Sequence, residues 1–322
     1  MSAPKTDPAA PHVADAARDN LADRLTPPAL RPYVRLARFD RPVGAWLLLF
    51  PCWWSMLLAQ DAAGQTIPNL WYMALFAIGA FVMRGAGCTH NDIVDADFDS
   101  RVARTASRPI PSGQVSKRQA FAFAVGLSLV GLVVLLQFNW TTVFLGASSL
   151  LLVALYPFAK RYTNWPQAVL GLTFKWGALV GWTSITGALS WTMLVLYAGC
   201  IAWTIAYDTI YAHQDKEDDA MIGLKSTALH FGAATPRYLA LFYGLALVLW
   251  AWAGWLAGAQ VGFYTALALS AAHFVWQIAT LDMADPVNCL RRFKANMHVG
   301  WLLTLGLVGD LILMASASGG FR

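Results

Sequence analysis

Long apolar segments alternate with short polar connections along almost the whole chain. Nine of them stand out, near residues 43–60, 70–89, 119–137, 141–159, 167–187, 190–207, 237–257, 261–280 and 298–316. A helix needs roughly 20 mostly apolar residues to cross the hydrocarbon core of a bilayer, and each segment is close to that length. The pattern predicts an all-α integral membrane protein with nine transmembrane helices in one bundle. Residues 1–34 read as a disordered or amphipathic tail, and 35–318 as a polytopic membrane domain.

Composition agrees with this pattern. Hydrophobic residues make up 57% of the 322 positions, charged residues 13%, and the mean hydropathy is +0.49. Soluble domains carry roughly a quarter charged residues, so two soluble domains are excluded despite the length. The 25 glycines suit close helix approach, and the 15 tryptophans suit anchoring at the membrane surface.

Basic residues set the orientation. They concentrate in alternate connections: 1–42, 90–118, 160–166, 208–236 and 281–297. The opposite connections, 61–69, 138–140, 188–189 and 258–260, hold no Lys or Arg. By the positive-inside rule this predicts an odd number of spans, an inside N-terminus and an outside C-terminus. The net charge of +5 and pI near 9.1 follow from basic loops beside anionic headgroups, so nucleic acid is not required as a partner. Asp7, Asp15, Asp19 and Asp23 lie in the first 24 residues, whereas transit peptides are poor in acids. The expected location is therefore a bacterial inner membrane, with a cytoplasmic N-terminus and a periplasmic C-terminus.

Cys52, Cys88, Cys200 and Cys289 are isolated, with no CxxC, and the six histidines show no HExxH spacing. Neither a zinc site nor a disulfide framework is indicated.

Against this apolar background, two acidic stretches carry the candidate chemistry. NDIVDADFD runs from Asn91 to Asp99 and YDTIYAHQDKEDD from Tyr207 to Asp219. On a helix continuing from the second span, Asn91, Asp95 and Asp99 fall on one stripe, drifting about 40° per step, and Arg84 lies on the same stripe. On a helix continuing from the sixth span, Asp208, Asp215 and Asp219 also align. Carboxylates at membrane depth are costly against lipid, so these should line a hydrated cavity. Mg²⁺ takes one or two carboxylates, keeps water and shares oxygens with substrate phosphates. The stretches recur 120 residues apart, each followed by a basic loop, as in a weak internal repeat with its site at the interface of the halves. Arg101, Arg104 and Arg108 follow the first stretch, and Lys225 the second. Arg84, Arg104, Arg108 and Lys225 are the candidate diphosphate-binding cations. A solvated helix end is the plain alternative for each stretch, and a headgroup contact for each cation.

The segments RFDRPVGAWLLLFP, LFAIGAFVMRGAGCTHNDIVDADFD, RTASRPIPSG, ALYPFAKRYT, YDTIYAHQDKEDD and GLKSTALHFG resemble the UbiA family of intramembrane prenyltransferases. The last three point to its 4-hydroxybenzoate polyprenyltransferase branch. The resemblance extends from about Arg35 to Gly300. It implies nine helices around a central cavity, cytoplasmic helical caps, and Mg²⁺-dependent transfer of a polyprenyl group from its diphosphate to 4-hydroxybenzoate in ubiquinone synthesis. It also implies metal binding by Asn91, Asp95, Asp99, Asp208, Asp215 and Asp219, with Asp95, Asp99, Asp215, Asp219 and Arg161 as catalytic residues. Tyr211 stands where other branches carry an acid.

Arg161 could pair with the aromatic carboxylate or with diphosphate. Lys175, inside the fifth span, is expected to face the cavity and draw an anionic aromatic substrate inward. Arg84 could hold motif aspartates, contact phosphate or form a structural ion pair. Arg38, Asp40 and Arg41, before the first span, read as interfacial anchors, with a part in forming the entrance as the alternative, and Asp310 as an internal structural partner. Membrane lipid surrounds the chain, and no obligatory protein partner is evident. Two rivals remain: a prenyltransferase of the same fold acting on a haem, naphthoate or chlorophyll precursor, and a cation-coupled transporter with midmembrane carboxylates.

Overall fold

A computed structural model describes residues 21–100, 105–221 and 223–317 of the chain. Among these residues there are helices and turns and no strand. Two short helices come first, α1 (Leu21–Leu25) and α2 (Arg31–Leu36). The spanning segments follow as α3 (Val43–Ala62), α4 (Leu70–Asp99) and α5 (Lys117–Leu135). The fourth span joins α6 (Trp140–Leu155) to the short α7 (Ala159–Tyr162), and the fifth is split into α8 (Pro166–Phe174) and α9 (Gly177–Thr186). After α10 (Trp191–Ala212) come α11 (Lys216–Met221) and α12 (Thr227–Phe231). The chain ends in α13 (Thr235–Ala257), α14 (Val261–Ala279) and α15 (Pro286–Ala317). Nine stretches of the described residues are long and apolar enough to cross a membrane, matching the nine segments in the sequence.

Helix signals in the sequence place several of these boundaries. Asn139 caps α6 by accepting from the Thr142 N–H at 3.0 Å. Ser190 does the same for α10 through Thr192, and α8 opens with Pro166 at its first position. Gly187 and Gly258 end α9 and α13 in the left-handed conformation. The rods outrun the apolar segments at two places. α4 continues to Asp99, and α15 begins at Pro286, well before its apolar part.

The chain divides into two compact units. The first holds the described residues up to Pro42 together with Val82–Leu129. Its small apolar core joins Leu36, Ala96, Ile110, Val115 and Ala120, and Tyr33 meets Phe123 edge-on at 5.2 Å. Buried Ile110 and Val115 anchor the turn after α4. That turn is closed by backbone bonds from Ser112 to Arg108, Gly113 to Ile110 and Val115 to Pro109.

The second unit holds Val43–Phe81 and the chain from Val130. Trp54, Trp203 and Trp250, all buried, meet at ring separations of 5.2–5.6 Å. Two of these indole groups also reach polar partners. Trp54 donates to Thr304 Oγ1 at 3.0 Å and Trp203 to Asn296 Oδ1 at 2.8 Å. In lipid, helices associate by close packing and interhelical hydrogen bonds. α9 illustrates this against α3: Gly177 and Gly181 face Cys52, where a Cβ would collide, and Ser55 donates to the Ala178 carbonyl.

Candidate active site

The first acidic stretch is helical throughout and forms the end of α4. Asn91, Asp95 and Asp99 therefore share a stripe with about 6 Å of rise per step. Asp95 and Asp99 are buried, and the Asn91 Oδ1 is a buried acceptor with no hydrogen-bond donor. Asp92, one residue off the stripe, is 0% exposed. Arg38 grips it with Nη2 at 2.7 and 2.9 Å from its two oxygens. Arg38 sits at φ 59°, the one left-handed non-glycine among the described residues. Such backbone costs on the order of 1–3 kcal/mol and persists where its surroundings enforce it.

Arg108 completes the cluster. Its Nη1 lies 2.7 Å from Asp99 Oδ2 and 3.3 Å from Asp92 Oδ1. The turn holding Arg108 is fixed to the helix end by Thr105 Oγ1, which donates to the Asp99 carbonyl at 2.8 Å. Asp97 points away and pairs with Lys117 at the exposed surface, 3.1 Å apart. Arg84 is partly buried on α4, seven residues before Asn91. Arg104 lies outside the described residues.

The second stretch departs from the expected single helix. α10 ends at Ala212, a 3₁₀ turn covers His213–Asp215, and α11 follows from Lys216. A 3₁₀ turn advances about 120° per residue instead of 100°, so the uniform stripe through Asp208, Asp215 and Asp219 does not hold. Asp208 is partly buried near the end of α10. Asp215 and Asp219 lie in the turn and in α11, and their side chains fall outside the described set. His213 is buried, with Nε2 3.1 Å from Thr235 Oγ1 and no partner at Nδ1. Burial, and then the charge of Lys216, push it down to about 4. The early part of α15 packs here, with Phe293 at 5.7 Å from Tyr207 and 4.6 Å from Tyr211.

The two motifs GLKSTALHFG and ALYPFAKRYT are brought together. The Lys225 N–H donates to the Lys160 carbonyl at 3.0 Å, and Nζ reaches the Tyr162 carbonyl at 3.4 Å. Ser226 caps α12, the Thr227 N–H donates to Gln167 Oε1 at 3.0 Å, and Thr227 Oγ1 meets Thr209 Oγ1 at 2.6 Å. These bonds tie the segment to the residue after Asp208. Arg161 is partly buried with its guanidinium 5.3 Å from the Phe158 ring.

Lys175 differs from the expected cavity-facing cation. It is 0% exposed and sits at the break between α8 and α9. Nζ donates to the Leu47 carbonyl at 2.6 Å and stands 4.5 Å from the Trp203 ring and 5.2 Å from the Tyr207 ring. The fold supplies its partners from a carbonyl and two aromatic faces. Asp310 matches its expectation: it accepts from the N–H groups of Gln260, Gly262 and Phe263 at 3.1, 2.7 and 2.9 Å, holding the start of α14. Arg38 is the residue that sequence reasoning undervalued. The sequence alone reads it as an interfacial anchor, because no local signal marks its pairing with a carboxylate 54 positions away.

Among the described residues no three His, Cys, Asp or Glu side chains converge as a ready-made metal cage. The α4 stripe nonetheless suits a hard divalent cation. It offers two buried carboxylates and an amide oxygen that lacks a donor, and Mg²⁺ characteristically fills its remaining positions with water and phosphate.

Comparison with known proteins decides the family. The model of the UbiA prenyltransferase family matches residues 48–302. The chain belongs to the UbiA prenyltransferase family. Among curated UbiA relatives, a Caenorhabditis elegans protein named 4-hydroxybenzoate polyprenyltransferase, mitochondrial, is 47% identical over 89% of this chain and 81% of its own length. Proteins of that name from Bos taurus and Mus musculus are 48% and 49% identical, each over 88% of this chain and 76% and 75% of theirs. A solved UbiA homologue from Aeropyrum pernix K1 superposes with a TM-score of 0.68 at 25% identity, over 82% of this chain and 97% of that one. One from Archaeoglobus fulgidus, bound to GPP and Mg²⁺, has a TM-score of 0.64 at 18% identity, over 88% and 99%.

These relatives correct the expected bacterial inner membrane, because they are named as mitochondrial enzymes. Basic loops fix which connections share a side of a membrane and do not say which membrane it is. A multi-pass membrane protein is what stands.

Proposed function

We propose that this chain joins a polyprenyl group to the ring carbon ortho to the hydroxyl of 4-hydroxybenzoate, with Mg²⁺ as cofactor, as a step of ubiquinone synthesis. One observation carries the reading: relatives of that name are 47–49% identical to the chain over 88–89% of it. The buried oxygen stripe of α4 supports the same chemistry.

In the reaction the allylic C–O bond breaks and its electron pair leaves with the diphosphate. The ring carbon forms the new C–C bond, and loss of its proton restores aromaticity. Bound Mg²⁺ would supply electrostatic stabilisation of the departing diphosphate. Asn91, Asp95 and Asp99 are proposed as its holders on α4, with Asp208, Asp215 and Asp219 from the second motif. Arg84, Arg104, Arg108 and Lys225 are proposed to face diphosphate, and Arg161 the aromatic carboxylate or diphosphate. Lys175 is assigned no substrate contact, since its ammonium is enclosed by Leu47, Trp203 and Tyr207.

Membranes containing the protein, supplied with polyprenyl diphosphate, Mg²⁺ and 4-hydroxybenzoate, should yield 3-polyprenyl-4-hydroxybenzoate by mass spectrometry. Product from a naphthoate acceptor, with none from 4-hydroxybenzoate, would overturn the acceptor assignment.

A further inference from the structure

The cluster at the end of α4 contains two arginines and two aspartates whose roles differ. Asp92 is gripped through both oxygens by Arg38, so one arginine already neutralises it. Arg108 touches Asp92 only at 3.3 Å and makes its short contact, 2.7 Å, with Asp99. The charge of Arg108 is therefore chiefly balanced by Asp99, which the proposed function makes a metal holder. The guanidinium also has capacity left, because its Nε–H is buried without an acceptor.

We infer that Arg108 is an exchangeable counter-ion: it neutralises Asp99 in the metal-free motif, stays beside Asp92, and gives Asp99 up when a divalent cation binds with diphosphate. This inference rests on the reading of Asp99 as a metal holder. A divalent cation on Asp99 would leave Arg108 beside a like charge in a partly buried place, where repulsion is weakly screened. A diphosphate arriving with the cation gives the guanidinium an anion to fork onto, including through its spare Nε–H. Metal and diphosphate binding are then positively coupled, each strengthening the other by the same factor. The turn bearing Arg108 need not move, because its backbone bonds and the Thr105 contact involve no guanidinium atom. Asp92 limits how far the side chain can stray.

Mn²⁺ binding to the purified full-length protein, followed by electron paramagnetic resonance, tests this without reference to turnover. The measurement is made with the metal alone and with a saturating non-reactive thiolo analogue of geranyl diphosphate. In the wild type the analogue should tighten Mn²⁺ binding. Arg108→Gln should bind Mn²⁺ alone about fivefold or more tightly than wild type and lose most of the tightening by the analogue. Arg108→Lys, which keeps the charge, should bind Mn²⁺ alone like wild type. Lys117→Gln, which breaks only the exposed pair with Asp97, should change neither value. Equal or weaker binding of Mn²⁺ alone by Arg108→Gln overturns the inference. If Asp99→Asn binds Mn²⁺ as wild type does, the metal role of Asp99 itself fails, and the inference with it.

Discussion

Neighbouring carboxylates on one helix turn can serve opposite purposes, and Asp92 and Asp95 are such a pair. Asp92 is consumed by Arg38 and Arg108, whereas Asp95 lies on the stripe with Asn91 and Asp99. Removing one partner of a buried ion pair leaves the other uncompensated, at a cost of about 3–5 kcal/mol. Asp92→Ala should therefore lower the melting temperature sharply, because it removes the carboxylate that Arg38 grips with both short contacts from a strained backbone at φ 59°. Asp95→Asn keeps the shape and should abolish prenylated product while the protein still inserts. Thermal melts in detergent alongside product mass spectrometry separate the two. A wild-type melt for Asp92→Ala would refute the clamp, and normal product from Asp95→Asn would refute the metal role. Sequence reasoning found the stripe because i, i+4, i+8 spacing is local. It did not find the clamp, since the partner of Asp92 lies 54 residues away and owes its aim to a left-handed turn with no glycine to mark it.

Among elements, what could be read from the sequence depended on length. All nine spans were legible, because apolar length is a strong signal and lipid demands regular hydrogen bonding. Two breaks were not. The fifth span divides at Lys175, and the second motif turns through a 3₁₀ segment at His213. Neither place carries an internal proline to announce it, and both breaks depend on tertiary partners: Lys175 on Leu47 and Trp203, His213 on Thr235. The contact of α9 with α3 gives a direct test of packing. A Cβ at Gly181 would strike the Cys52 carbonyl oxygen, part of a helix backbone that cannot turn aside. Gly181→Ala should destabilise by about 1–3 kcal/mol, the usual cost of overpacking. Gly126→Ala, on α5 with nothing within 4 Å of a new Cβ, should be neutral or gain up to about 1 kcal/mol from helix propensity. Equal melting temperatures for the two variants would contradict the close approach of α9 to α3.

For the molecule as a whole, the question is whether the metal holds the fold or only serves the reaction. Each unit has an apolar core of its own, and the larger one closes around Trp54, Trp203 and Trp250 without any metal-binding residue. The charges at the end of α4 are also balanced within the protein: Arg38 and Arg108 answer Asp92 and Asp99. Withdrawing Mg²⁺ therefore leaves Asp99 paired. The metal should contribute to stability only through mass action, about 1.4 kcal/mol when present at ten times its dissociation constant. In a chain of this size that is a shift of a few degrees at most. Chelation with EDTA should accordingly abolish prenyl transfer while lowering the melting temperature only slightly. Added Mg²⁺ should restore activity without a refolding delay. A fall of tens of degrees on chelation, or recovery only after refolding, would make the metal part of the fold and remove the reason for an arginine to stand in its place.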